Sequence, residues 1–95
     1  YAASKGSVVA LTRSIAKSFA AENILAYTIA PGWVETERVM PKLTAAGNEG
    51  LLDEVPMGGP VPPGEIGNLA VFLLSGAVRH ATGATFDING ASYFH

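Results

Sequence analysis

Apolar residues recur at helical spacing over the first part of the chain, from Tyr1 to about Ala21. One stripe, at steps of three and four, consists of Val8, Leu11, Ile15 and Phe19. A second stripe carries only small residues, namely Ala3, Ser7, Ala10 and Ser14. This spacing predicts an amphipathic helix. Because small residues let another helix approach closely, we expect this helix to be covered on two sides.

A continuous apolar run follows the helix. Six of the seven residues from 24 to 30 are apolar or aromatic, without strict alternation, and Pro31-Gly32 then interrupts the run. A run of this kind is typical of a strand that is covered on both faces in a parallel sheet. We therefore expect Pro31-Gly32 to stand at the carboxyl end of a strand, where open α/β sheets place their ligands.

Residues 33–63 have the composition of a loop, since they hold five of the six prolines. Short amphipathic stretches at about 37–46 and 51–55 predict two brief helical segments within it. An irregular segment of this length in a compact domain is usually a lid or a binding loop.

The last part of the chain predicts a second helix and a second strand. Pro62-Pro63 suits a helix start and Gly76 suits its stop. The apolar stripe between them consists of Ile66, Leu69, Ala70 and Leu73. A β run at residues 84–88 then ends in the turn pair Asn89-Gly90. Two strands separated by a helix predict an α/β fold with a right-handed parallel βαβ unit, although two strands alone leave edges and apolar faces uncovered.

Composition limits the class of function. The chain has 95 residues, of which 48% are hydrophobic and 15% charged, and a formal charge of −2. These values predict one packed domain and give no electrostatic case for nucleic acid. No apolar run approaches the ~18 residues of a membrane span. With no cysteine and two histidines, we expect no metal site and a cytoplasmic location.

The residues that suggest catalysis open the chain. Tyr1 and Lys5 are four residues apart, so on a helix they share one face. An ammonium group one turn away can lower the pKa of a phenol and prepare it for proton transfer near neutral pH. Because the chain starts at this residue, without an initiator methionine, we expect it to be the C-terminal portion of a longer protein.

The chain resembles the short-chain dehydrogenase/reductase family in three motifs that occur in order. They are Tyr1-x-x-x-Lys5, then Pro31-Gly32-Trp33-Val34-Glu35-Thr36, then Thr82-Gly83 before the last strand. The likeness spans essentially the whole chain and is to bacterial reductases such as 3-oxoacyl-acyl-carrier-protein reductases. It implies the C-terminal part of a Rossmann-type doubly wound parallel sheet. It also implies an NAD(P)-dependent oxidoreductase that interconverts a ketone and a secondary alcohol, without distinguishing NAD from NADP.

The resemblance implies roles for individual residues. Tyr1 would be the general acid and base, and Lys5 would bind the nicotinamide ribose hydroxyls and lower the pKa of Tyr1. The residues implied to bind the cofactor are Lys5, Pro31, Gly32, Val34 and Thr36. Trp33 and Met40 would contact substrate, and residues 37–60 would form a substrate lid. The protein would be a homo-oligomer, associating through the first helix and the C-terminal strand and tail.

Other interpretations of the same residues stay open. Pro31-Gly32 can simply end a strand, Thr36 can cap a following helix, and Trp33 and Met40 can cover apolar surface. The chain also departs from the family, since Gly59 stands where arginine is common and Ala91 where glycine is usual.

The family's catalytic serine and glycine-rich phosphate turn are missing from these 95 residues, so we expect the piece alone to be inactive. Two alternatives to an oxidoreductase fragment remain: a non-catalytic fragment that associates through the first helix and the sheet edge, or a full-length enzyme seen only in part.

Overall fold

The computed structural model describes residues 2–48 and 50–94 of the chain. Its helices and strands are α1 (Ala2–Phe19), β1 (Thr28–Pro31), α2 (Met40–Leu43), α3 (Pro63–Leu74) and β2 (Thr85–Ile88). Short 3-10 turns lie at Ala20–Glu22, Leu52–Glu54 and Arg79–Ala81. The predicted order of helix, strand, long loop, helix and strand is confirmed, as are the two brief helical segments within the loop. Over the described ranges, no helix has both the length and the apolar character that a membrane crossing requires.

The two strands form a parallel pair. The Thr28 N–H donates to the Ala84 carbonyl at 3.1 Å, and the Gly32 N–H donates to the Ile88 carbonyl at 2.9 Å. Both partners advance by four residues in the same direction, which is the pattern of parallel strands. The α/β class with a parallel sheet is therefore confirmed.

Strand β1 is shorter at its start than the apolar run predicts. The Ala26 N–H donates to the Thr82 Oγ1 at 3.0 Å, and the Ala26 carbonyl accepts from the Gly83 N–H at 2.7 Å. Ala26 thus pairs with the turn that precedes β2, and regular strand geometry begins only at Thr28. Pro31 is the last residue of β1, a position at which its missing N–H costs no ladder hydrogen bond.

The chain divides into two compact units. The first comprises Tyr1–Ile29 and Val71–Phe86. Its buried residues include Ala16, Thr28 and Leu73. A Cβ on Gly83 would lie 3.3 Å from the Ala16 Cβ, so helix and turn meet here through small residues. Larger side chains at these two positions would therefore not fit between α1 and the turn before β2.

Helix α1 buries a different face from the one that its apolar stripe predicts. Val8, Leu11 and Phe19 remain 55%, 61% and 42% exposed, and the four members of the small-residue stripe are exposed as well. The buried face instead contains Ala16, with Thr12 half-buried one turn earlier. Within this chain the first unit covers α1 on one narrow face only, and of the two predicted stripes only Ile15 is half-buried.

The second unit comprises Ala30–Ala70 and Asp87–His95. Its buried residues include Ala30, Leu43, Val55, Val61 and Asn89. The Asn89-Gly90 turn that the sequence predicts is present, and Gly90 has a φ of 62°. Helix α3 runs through both units; it begins at Pro63 as predicted, and Gly76, with a φ of 79°, follows its end.

Ala91 should be a site where glycine stabilises the protein. Its φ is 69°, in the left-handed region that costs a non-glycine residue about 1–2 kcal/mol. Ala91→Gly removes this strain, partly offset by the greater unfolded-state freedom of glycine, and we expect a gain of about 0.5–1 kcal/mol in the free energy of unfolding. Denaturant unfolding of the full-length protein measures it. Ala10→Gly, on an exposed helical position, is the matched control and should lose about as much; a loss at both sites contradicts the prediction.

Candidate functional site

The carboxyl end of β1 carries the segment that the sequence singles out. A Cβ on Gly32 would lie 2.9 Å from the Asn89 Cβ and 3.1 Å from the Asn89 Cα. Any side chain at position 32 would therefore push the two strand ends apart. Glycine is needed here because the backbone passes close to Asn89.

Val34 forms an isolated parallel bridge with Val61. The Val61 N–H donates to the Trp33 carbonyl at 2.6 Å, and the Glu35 N–H donates to the Val61 carbonyl at 2.8 Å. In a parallel bridge of this kind, the N–H and C=O of the central residue point away from the partner. No residue within 2–48 and 50–94 hydrogen-bonds to these two groups of Val34. The bridge thus presents a backbone donor and an acceptor side by side, the pair that a primary carboxamide can meet.

Thr36 caps the helical turn that follows it. Its Oγ1 accepts from the Val39 N–H at 3.2 Å, and its carbonyl accepts from the Met40 N–H at 2.9 Å. This turn precedes α2, whose own N-cap is Val39 without a side-chain hydrogen bond, so Thr36 caps the turn before the helix and not the helix itself. Since the hydroxyl only accepts in this bond, its O–H remains able to donate to a ligand.

The remaining predicted site residues are distributed as follows. Trp33 is 39% exposed beside the bridge, and Met40, the first residue of α2, is half-buried. Pro31, at the end of β1, is exposed. All of these belong to the second unit, whereas Lys5 is exposed on α1 in the first. Tyr1, the proposed general acid and base, lies outside the described residues.

A pocket of about 270 Å³ lies next to the bridge within the second unit. Its lining residues are Met57, Gly59, Pro60, Val61, Pro62, Glu65, Ile88 and Gly90. The lining is apolar apart from the Glu65 carboxylate, and its volume is near the low end for small-molecule sites. Val61 belongs both to the pocket and to the bridge with Val34. Across the described ranges, no group of three histidine or carboxylate residues is placed to hold a metal ion.

Asn89 and Val61 are the residues of this site that the sequence did not indicate. Asn89 was predicted only as half of a turn, yet it is 9% exposed and meets Gly32. Val61 stands in a proline-rich segment with no strand pattern around it. No local signal could have found either residue, because both act through partners that are distant along the chain.

Comparison with known proteins finds similarity to reductases. A protein-family model described as Enoyl-(Acyl carrier protein) reductase matches residues 1–91. The acetoacetyl-CoA reductase of Rhizobium meliloti is 34% identical over 94 residues, which are 99% of this chain and 39% of that protein. The 3-oxoacyl-[acyl-carrier-protein] reductase FabG of Vibrio harveyi is 36% identical, covering 98% of this chain and 38% of the relative. The chain thus spans about two fifths of the length of these curated relatives.

Solved structures agree with the sequence comparison. A putative 2-deoxy-D-gluconate 3-dehydrogenase from Agrobacterium tumefaciens, with bound NADP, matches with a TM-score of 0.87 at 34% identity, over 97% of this chain and 38% of that one. A 4-hydroxyisoleucine dehydrogenase complexed with NADH matches with a TM-score of 0.86 at 27% identity, over 95% and 37%. The described α/β arrangement is accordingly part of a Rossmann-type fold. The chain belongs to the short-chain dehydrogenase/reductase family.

Proposed function

We propose that the full-length protein is an NAD(P)-dependent oxidoreductase that interconverts a ketone and a secondary alcohol. The observation that carries this proposal is the outward-facing N–H and C=O of Val34 at the carboxyl end of a parallel strand. Family membership supports it, as do the names of the relatives, which include an acetoacetyl-CoA reductase and a 3-oxoacyl-[acyl-carrier-protein] reductase. Their substrates are 3-oxo acyl compounds, so the carbonyl of such a compound is a reasonable reference substrate.

The second unit offers the groups that a nicotinamide cofactor needs. Pro31 and Gly32 would lie against its flat ring, Val34 would hydrogen-bond its carboxamide through backbone atoms, and the Thr36 O–H would donate to it. The fit is supported by a donor and an acceptor that no described residue already uses. When bound, the cofactor supplies or accepts the hydride. NAD and NADP both remain in the proposal.

Proton transfer is assigned to the start of the chain. Tyr1 would donate a proton to the carbonyl oxygen during reduction and remove one during alcohol oxidation. Lys5 would bind the ribose hydroxyls and lower the pKa of Tyr1 through its positive charge. Because the family's serine and phosphate turn are not among these 95 residues, the chain alone is proposed to be inactive. A cytoplasmic location remains part of the proposal.

Substrate is proposed to enter beside Trp33 and Met40, under a lid formed by about residues 37–60. Most of the described part of this segment is irregular, with α2 and one 3-10 turn as its helical parts. Irregular segments that follow a sheet's carboxyl edge commonly enclose ligands.

Replacing Val34 by proline tests the cofactor assignment. Val34→Pro removes the N–H that points away from Val61, so the bridge to Val61 is kept while the donor is lost. We expect the Kd for NADH or NADPH to rise roughly tenfold, as for loss of one hydrogen bond to a bound ligand. Val34→Ala keeps the backbone and is the matched control, with little change expected. Fluorescence titration of the reduced cofactor measures both, and equal affinities in the two variants would sink the assignment.

A second candidate function is a non-catalytic fragment that associates with other chains. It is favoured by the exposed apolar residues of α1 (Val8, Leu11 and Phe19) and by the exposed tail residues Tyr93 and Phe94. The same surfaces are proposed to join the subunits of a homo-oligomer of the full-length enzyme. Light scattering of the 95-residue chain measures its association, and a stable monomer would argue against an associating fragment. Cofactor-dependent turnover by that chain alone would exclude a non-catalytic fragment.

A further inference from the structure

Asn89 is a buried polar residue at the end of β2, and the roles proposed above give it no part. It belongs to the second unit and is 9% exposed. Its Nδ2 donates to the Tyr93 carbonyl at 2.8 Å, and its own carbonyl accepts from the Ser92 N–H at 3.2 Å. A buried amide with these hydrogen bonds holds the main chain of residue 89 in one position.

The main chain of Asn89 lies directly against Gly32. No side chain separates the two, since even a Cβ on Gly32 would come within 2.9 Å of the Asn89 Cβ. One residue earlier, the Ile88 carbonyl accepts from the Gly32 N–H at 2.9 Å. In a close-packed contact of this kind, a displacement of Asn89 is passed to Gly32 rather than absorbed by a gap.

Gly32 begins the segment that presents Val34. On its other side, this segment is held by Val61, which bonds to the Trp33 carbonyl and to the Glu35 N–H. Residues 32–35 are thus fixed between two points, Ile88-Asn89 and Val61. The direction of the Val34 N–H and C=O depends on both.

We propose that Asn89 is a positioning residue for cofactor binding, which acts through Gly32 to set the direction of the Val34 backbone groups. The inference rests on the proposed function, because it takes Val34 as a cofactor contact. Asn89 does not itself touch the cofactor in this scheme. A residue that served only to form a turn would require neither burial nor a side-chain bond to Tyr93.

Two substitutions in the full-length protein separate positioning from simple turn formation. Asn89→Asp keeps the size of the side chain but replaces the Nδ2 donor by an oxygen that, as a carboxylate, cannot donate to the Tyr93 carbonyl. Asn89→Ala removes the whole amide and keeps the Cβ against Gly32. We expect KM and Kd for the cofactor to rise roughly three- to tenfold, while kcat at saturating cofactor changes less than about twofold. Asn68→Ala, on an exposed position of α3, is the control and should leave both constants unchanged.

A compensation experiment tests the contact itself. Gly32→Ala places a methyl group against the Asn89 Cβ and should weaken cofactor binding. Adding Asn89→Gly removes that Cβ, although the Asn89 Cα at 3.1 Å remains, so the double variant should lose less affinity than the sum of the losses in the Gly32→Ala and Asn89→Gly single variants. Such non-additivity is expected only of residues in direct contact.

The outcomes distinguish this inference from the proposed function. If the unmodified protein binds neither NADH nor NADPH, the proposed function fails and this inference fails with it. If the unmodified protein binds the cofactor but the Asn89→Asp and Asn89→Ala variants bind it equally well, this inference alone is overturned, even where those variants unfold at lower temperature. Fully additive losses of affinity in the Gly32→Ala/Asn89→Gly double variant overturn it as well.

Discussion

Tyr1→Phe should lower kcat of the full-length enzyme by about 10²–10⁴-fold, the range that a positioned general acid contributes. The substitution removes one oxygen atom and the only proton that the proposed mechanism delivers from the protein to the carbonyl oxygen. Binding of the reduced cofactor should be nearly unchanged, because its proposed contacts are Lys5 and residues 31–36. Steady-state kinetics with a 3-oxo acyl substrate, together with a fluorescence titration of the cofactor, measure the two effects separately.

Tyr27→Phe is the matched control for this experiment. It removes the same atom from another tyrosine, whose hydroxyl donates to the Val78 carbonyl at 3.3 Å in the first unit. Loss of that hydrogen bond should lower the free energy of unfolding by about 1 kcal/mol while leaving kcat unchanged in the folded enzyme. Full turnover by the Tyr1→Phe variant would refute the assignment of Tyr1, and an equal loss in both variants would show that stability rather than proton transfer was changed.

Gly90→Ala should destabilise the protein by about 2–5 kcal/mol, the sum of two separate costs. Its φ of 62° is in the left-handed region, which costs a non-glycine residue about 1–2 kcal/mol. Its Cβ would also lie 2.6 Å from the Val55 Cγ1 and 3.1 Å from the Met57 Cβ. Val55 is buried, so it cannot move aside freely, and overpacking of this kind costs about 1–3 kcal/mol.

Gly58→Ala separates the two costs. Gly58 also has a positive φ, of 96°, but a Cβ there would meet nothing within 4 Å. It should therefore lose only the conformational part, about 1–2 kcal/mol, in the same denaturant-unfolding measurement. If the two alanine variants were equally stable, the close contact between Gly90 and Val55 would be wrong.

Much of the fold could be predicted because its signals are local. The step of three and four in the first helix, the Pro62-Pro63 start of α3 and the Asn89-Gly90 turn all depend on neighbouring residues. The start of β1 was predicted too early for the opposite reason. The partner of Ala26 is Thr82, 56 residues away, and nothing in the apolar run shows that it pairs with a turn rather than with a strand.

The candidate site, too, was only partly predictable from the sequence. Residues 31–36 were predicted as a set, because the motif is contiguous and the strand before it is apolar. The structural reason for each residue was not always predictable. Position 32 requires glycine because Asn89 lies against it, and the direction of the Val34 backbone N–H and C=O is set by the bridge to Val61. The exposed residues of α1 show a limit of prediction from sequence. Periodicity predicts which residues share a face of the helix, but not whether the rest of this chain covers that face.

By itself the sequence determined the family, the order of helices and strands, and the residues to examine, because each of these is written in spacing and motif. The tertiary structure decided which face of α1 is buried, where β1 begins, and how the segment of residues 31–36 is held. These depend on contacts between residues far apart in the chain, such as Gly32 with Asn89 and Val34 with Val61. Such contacts follow from close packing and backbone hydrogen bonding in three dimensions, and no local pattern encodes them.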